Sequence, residues 1–396
     1  MAKNSSSSTT VPGTVWLARG RHLGPDPEQD VRRNLIALKA AGVLDDFLDL
    51  DPVEAARSTV LHPREESAAP GPSARRLFEA RWRAPDGVMV RAQLTTYEAG
   101  ARRAGNEGTT WVLAAEAEQA WNPRWPSPAT MFWPDSDRVA WDHDFVLGVR
   151  LRTANHLPED QNEMRRRLRD CSRDTWYIHI VVHEAMTPDV KGQQPLTTFL
   201  PPSLRHRVIE HRATPAQAQT ADFALERELD VRLPRGGAVV LPTQPRSPDF
   251  DADHFTVHTV FLDGSEPTEL LGLVEEFADL PRPLPEGAEQ ALTRLRRGWH
   301  LLTPDEELAH AQAMVVKYAE ALEAMTRSCD LYQEAAEAAQ AALAEFTGGE
   351  AAPRPPVPET TKRTTGSPLA ALNALNPLST VKKGLDRLRA PDRHDT

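Results

Sequence analysis

The sequence predicts an α+β protein: an antiparallel β-rich body, a sheet or sandwich, with short N-terminal helices and a C-terminal helical arm containing one long heptad-patterned helix. Three observations predict it. Between residues 74 and 265, short runs rich in β-branched and aromatic residues alternate with polar ones and end at Pro, Gly or Asp. Helical and extended patterns do not take turns there, which disfavours a doubly wound parallel sheet. From residue 304 to 346, apolar residues recur at seven-residue spacing without a break.

Residues 1–12 are rich in Ser and Thr and predict a disordered N-terminus. In the segment 13–63, residues 14–18 suit a first strand. A helix is predicted from Pro27, with Val31, Leu35, Leu38 and Ala41 at helical spacing and Gly42 just past its end. A second short helix is predicted to start at Asp51, with Pro52 at its first position and Glu54 completing the capping pattern. Residues 64–73, rich in Pro, Ser and Ala, read as a linker.

In the body, 74–265, residues 77–82 and 88–94 alternate on either side of Ala84, Pro85, Asp86 and Gly87. Pro and Asp favour a turn and Gly accepts positive φ, so a hairpin is predicted. Further strands are predicted at 110–114, 145–151, 176–183, 223–233, 238–241 and 255–262, with one charged helix at 158–168. The arm, 266–347, reads as helices over 266–280 and 285–302, then a long one over 304–346. Thr303 and Glu306 have capping-box spacing around Pro304, and Gly348 and Gly349 mark the stop. A linker rich in Pro and Thr (348–367) and an amphipathic tail (368–396) follow.

The long helix carries the sharpest pattern. Leu308, Val315, Leu322, Cys329, Ala336 and Leu343 recur as position a of a heptad, and Ala311, Tyr318, Met325, Tyr332, Ala339 and Phe346 as position d. The flanking e and g positions are small or uncharged, among them Gln312, Ala319, Ser328 and Ala335. Such flanks widen the apolar face and admit more than one neighbouring helix. Two readings follow: an intramolecular bundle with the two preceding helices, or a partner-facing or self-associating coiled coil.

Two other segments are candidate partner-binding sites. In the tail, Leu372, Leu375, Leu378, Val381, Leu385 and Leu388 recur every three or four residues, with Lys382, Lys383, Arg387 and Arg389 among the last of them. An amphipathic segment of this kind folds back on its own body, docks in a protein groove, or, less favourably here because Pro377 and Gly384 interrupt it, lies on an anionic membrane. Trp121, Trp125 and Trp133 lie in a stretch interleaved with Pro, which suits either packed lids over a sheet or aromatic anchors for a partner.

Composition excludes several classes. The 396 residues carry a net charge of −11, which argues against electrostatic binding of nucleic acid. Lysine is scarce among the 46 basic residues, a bias expected of a GC-rich bacterial genome, so clusters such as 165–169 and 294–297 read as solvated helix faces. No run approaches the ~20 apolar residues of a membrane span, and the start lacks a signal-peptide pattern. The only cysteines are Cys171 and Cys329, which predicts no disulfide framework and a cytoplasmic location.

Catalytic motifs are scarce. There is no Gly-x-Ser-x-Gly elbow, phosphate loop or dinucleotide fingerprint. Cys171 lies among charged residues but has no histidine partner identifiable from sequence. His179 and His183, and likewise His254 and His258, have the spacing of zinc ligands on a helix, but both segments read as strands. On a strand, residues four apart stand ~13 Å from each other, beyond the reach of one ion. The expectation is therefore no metal and no other cofactor. The favoured reading is a non-catalytic adaptor or assembly component acting on another protein or on itself. A metal-assisted hydrolase using His179, His183, His254 and His258 is the alternative, and a peripheral membrane protein the third.

Overall fold

The computed structural model describes residues 10–52, 74–97, 108–134, 143–144, 148–184, 190–243, 249–261 and 264–346. The chain divides into a body, Met1–His310, and a second unit, Ala311–Thr396. The fold is α+β, with an antiparallel five-stranded sheet, several helices and a long C-terminal helix.

The first sheet is built from β1 (Val15–His22), β2 (Asp46–Leu50), β3 (Ala74–Arg83), β4 (Met89–Tyr97) and β5 (Thr109–Ala117), in the order β1-β5-β4-β3-β2. Strand alternation separates its faces. Trp16, Phe78, Trp82, Leu94 and Trp111 point to one side, where Val31 and Leu35 of α1 (Pro27–Ala40) and the buried residues of α2 (Pro128–Phe132) cover them. Each large side chain buried in this way contributes ~1.5–3 kcal/mol. The predicted hairpin forms between β3 and β4: Gly87 N–H donates to Ala84 O at 2.8 Å, with Gly87 at φ 84°. Asp26 caps α1 by accepting from Gln29 N–H at 3.2 Å.

The two-residue strands β6 (His143–Asp144) and β7 (Val149–Arg150) pair with each other. A second sheet then orders β12-β11-β9-β10-β8 from β8 (Ala154–His156), β9 (Ile178–His183), β10 (Val208–Ala213), β11 (Ala238–Val240) and β12 (Thr256–Val257). This sheet is mixed, not antiparallel throughout: β8 and β9 both run parallel to β10. Parallel neighbours need crossovers, and α3 (Gln161–Cys171) and the short α4 (Val190–Gln193) lie in them. One face of this sheet packs against α3 and α5 (Ala218–Leu229) through Met164, Leu168, Ala221 and Leu225. Ile178, Ile180 and Val182 face the other way, toward Leu270, Val274 and Phe277 of α6 (Thr268–Asp279).

Three expectations change. The strand expected at 223–233 is the helix α5, whose Ala221, Ala224, Leu225 and Leu229 are buried at helical spacing. The strands β2 and β10 had not been expected. The helices of the expected bundle pack elsewhere: α6 on the second sheet, and α7 (Ala288–Arg297) on the outer face of the first, where Ala291, Leu292 and Leu295 meet Val15, Leu17 and Ala114. The long helix α8 (Pro304–Phe346) has no buried residue. Its capping box forms as the spacing predicts, with Glu306 N–H donating to Thr303 Oγ1 at 3.1 Å and Glu306 Oε2 accepting from Thr303 N–H at 2.7 Å. The helix expected from Asp51 lies outside the described residues beyond Pro52, and so do the linkers and the tail. Among the described residues no helix is long and apolar enough to cross a membrane.

Candidate functional site

The second sheet brings together a set of reactive side chains. Its register pairs His179 with Ile209, so His179 and His211 lie on the same face of adjacent strands, one step apart along the diagonal. Cys171, the last residue of α3, reaches the same place from the helix layer above. His211 Nε2 lies 3.1 Å from His179 Nδ1 and 3.3 Å from Cys171 Sγ, and the two imidazoles are stacked 5.4 Å apart. Asp174 completes the row, with Oδ2 3.0 Å from His179 Nε2 and Oδ1 accepting from Trp176 N–H at 2.9 Å. Arg19 approaches Asp174 from the surface at 3.7 Å.

All four residues are buried: Cys171 is 1%, His179 2%, His211 0% and Asp174 5% exposed. Burial alone pushes His179 downward, but the Cys171 sulfur and the Asp174 carboxylate overcome it and raise its pKa to about 10. Burial holds His211 well below the ordinary imidazole value, with His179 and Arg167 acting in the same direction. His211 Nδ1 has no hydrogen-bond partner among the described residues. Sγ, Nδ1 and Nε2 of Cys171, His179 and His211 lie within 4.8 Å of one another, so among the described residues these three side chains are placed to share one metal ion. No substrate can touch groups so enclosed without displacing the helix layer.

The other histidines singled out by spacing do not join them. His183 lies further along β9, with Nδ1 3.1 Å from Glu184 O. His254 is exposed and pairs with Glu276 at 3.1 Å, and His258 is exposed. Of that proposed quartet only His179 belongs to the cluster. Its partners were missed because Cys171 and His211 stand 40 residues apart in sequence, and nothing local in either segment announces the other.

The tryptophans are mainly core. Trp133 is fully buried, stacked on His22 at 4.8 Å, and Trp125 is 4% exposed with its Nε1 donating to Asp86 at 3.1 Å. Neither is available to a partner. Trp121 is half-buried, edge-on to Trp125 at 5.3 Å. A cleft of about 90 Å³ beside it is lined by Pro12, Ser203, Arg207, Leu280 and Arg282 and includes none of the four cluster residues. The tail positions Leu372, Leu375, Leu378, Val381, Leu385 and Leu388 lie outside the described residues.

On α8 the apolar face is open. Leu322, Met325 and Tyr332 are 63%, 62% and 75% exposed, and Leu308, Val315, Tyr318, Leu343 and Phe346 are exposed as well. From Ala311 onward every charged residue of the helix, from Lys317 and Glu320 to Glu337 and Glu345, falls at heptad positions b, c or f. Positions a, d, e and g carry none. No family model matches the chain, and no curated protein or solved structure does.

Proposed function

We propose that this chain is a non-catalytic assembly component acting through protein–protein contact, and that the occupant of the α8 face is α8 of further copies of the same chain. The observation that carries this is the placement of charge: six uninterrupted heptads of a and d residues, none buried, flanked by e and g positions free of charge. Uncharged e and g positions raise no like-charge barrier when identical helices meet. The small side chains among them, Ala319, Ala321, Ser328, Ala335 and Ala342, let helices approach closely and admit more than two. A row of Leu, Val, Met and Tyr of this length is out of place against water. Each such residue would gain ~1.5–3 kcal/mol on burial, while a lone helix has little besides pairs such as Arg327 with Glu323 to hold it. The tail leucines enter the proposal as a second contact on their sequence spacing alone.

Sedimentation of the full chain across a range of concentrations tests the reading. The parent should sediment as a dimer or larger assembly, and Leu322→Asp combined with Met325→Asp should sediment as a monomer of unchanged secondary structure in the body. A parent chain that is monomeric throughout would overturn the self-assembly reading.

A further inference from the structure

We propose that Cys171, His179 and His211 bind a single thiophilic transition-metal ion, zinc or copper, with Asp174 orienting His179 from behind. The donor set is a thiolate and two imidazoles, a combination that suits zinc and copper and is poor for magnesium or calcium. The geometry is close to what one ion requires. Donors bound to one tetrahedral zinc through bonds of ~2.0–2.3 Å stand ~3.3–3.7 Å apart. The two contacts at His211 Nε2 are 3.1 and 3.3 Å, and the whole set fits within 4.8 Å. A rotation of one side chain by about 1 Å would close the triangle onto such an ion.

The hydrogen inventory points the same way. His211 Nε2 has two neighbours, His179 Nδ1 and Cys171 Sγ, but it owns either one hydrogen or one lone pair. It cannot make a full hydrogen bond to both. Asp174, at 3.0 Å, accepts the hydrogen on His179 Nε2, so Nδ1 is the nitrogen that faces His211 and would give its lone pair to an ion on losing its proton. A carboxylate behind a ligating histidine is the usual means of fixing its tautomer and orientation. One cation would satisfy all three donors at once, whereas a hydrogen or lone pair on His211 Nε2 serves its two neighbours only one at a time. The ion would tie the end of α3 to β9 and β10, which makes it a structural staple, because no substrate reaches it.

The test uses the full chain, stripped with a chelator under reducing conditions and offered zinc, cobalt(II) or copper(I). The expected result is about one zinc or copper per chain by elemental analysis, a cobalt form with a thiolate-to-metal absorption band, and a higher melting temperature with metal. Cys171→Ser should abolish the band. Asp174→Asn should weaken binding by ~10–100-fold, as loss of a partner that orients a ligand, and His211→Gln, which removes a ligand, by ~100-fold or more. Cys329→Ser, and His183→Ala together with His254→Ala, should leave binding unchanged. Circular dichroism checks the folding of each variant. If Cys171→Ser does not fold, the parent and the two milder variants still decide. A parent chain that takes up none of the three ions at stoichiometric level, or a cobalt band that survives Cys171→Ser and is lost in Cys329→Ser, would overturn the proposal.

Discussion

His179 Nδ1 and His211 Nε2 meet at 3.1 Å across two parallel strands, although 32 residues separate them in the chain. Pairing in register does this: residues aligned across a parallel ladder share a face, and side chains two positions on along the neighbour share it too. His179 and His183, four apart on one strand, share that face as well but stand ~13 Å from each other. Proximity in a sheet therefore runs across strands and not along them.

Asp174 should be the costliest single residue of this row to remove. Its carboxylate accepts from Trp176 N–H at 2.9 Å and holds His179 Nε2 at 3.0 Å, both out of water. Asp174→Ala leaves a buried amide and a buried imidazole without a partner, and the expected loss is ~2–5 kcal/mol in unfolding by urea. A loss below ~1 kcal/mol would mean that the groups find other partners or that water enters.

Local signals were legible in the sequence and remote ones were not. The turn at Gly87 and the capping box at Thr303 are chemistry between residues within three positions of each other, so their spacing alone announces them. The strand β10 escaped because Glu210, His211 and Arg212 interrupt the apolar alternation that marks a strand, although all three are buried. Arg212 Nε donates to Glu210 Oε1 at 2.7 Å, and its other nitrogens donate to Gly192 O and Gln194 O. Charge that is paired inside does not alternate with polarity as a half-exposed strand does. The cluster at Cys171 was hidden for the same reason: its partner came from that unrecognised strand.

Stability should fall on mild acidification, with His206 accounting for part of the fall and His179, whose raised pKa adds stability as pH drops toward 6.5, opposing it. Burial holds its pKa well below 6.5, with Arg152 and Arg205 adding to the effect. His22 is shifted the same way, burial prevailing over Asp30, the contact with Gly24, and Asp26. Folding thus requires the neutral forms. That contribution is complete above the unfolded value of about 6.5 and is lost as pH falls from there toward the folded value, at up to ~1.4 kcal/mol per pH unit for each group. Urea midpoints measured at about pH 7.5 and about pH 5.5 should show the drop, and His206→Gln should reduce it. An equal drop in the variant would clear His206 of the role.

Glu79 should be indispensable to the start of the arm. It is fully buried in β3 and accepts from His300 N–H at 2.8 Å, Leu301 N–H at 2.9 Å and Gln93 Nε2 at 3.0 Å, with His300 Nδ1 at 3.1 Å. Arg81 beside it donates to Leu301 O at 3.1 Å. Together they fix the two residues that lead into the capping box of α8. Glu79→Ala strips three donors of their acceptor and should cost ~3–5 kcal/mol. Glu79→Gln keeps one acceptor oxygen and should cost less. Equal stability of both variants to the parent, measured by thermal unfolding, would contradict the account.

Cys329 reports on the α8 face without any disruptive substitution. It occupies position a of the fourth heptad and is exposed in the single chain, whereas Cys171 is buried in the body. If identical helices cover that face, the Cys329 thiol leaves water as the assembly forms, and its reaction with a disulfide reagent must wait for dissociation. Its rate should then fall by ~10-fold or more from dilute to concentrated protein, as the monomer fraction falls. In Leu322→Asp an unpaired charge placed one heptad away opposes association by several kcal/mol, so Cys329 should react fast at every concentration. Cys171 should stay slow in both chains, since its protection comes from the helix layer over the second sheet. A Cys329 rate that is the same at all concentrations in the parent and equal to that of Leu322→Asp would leave the heptad face without a partner.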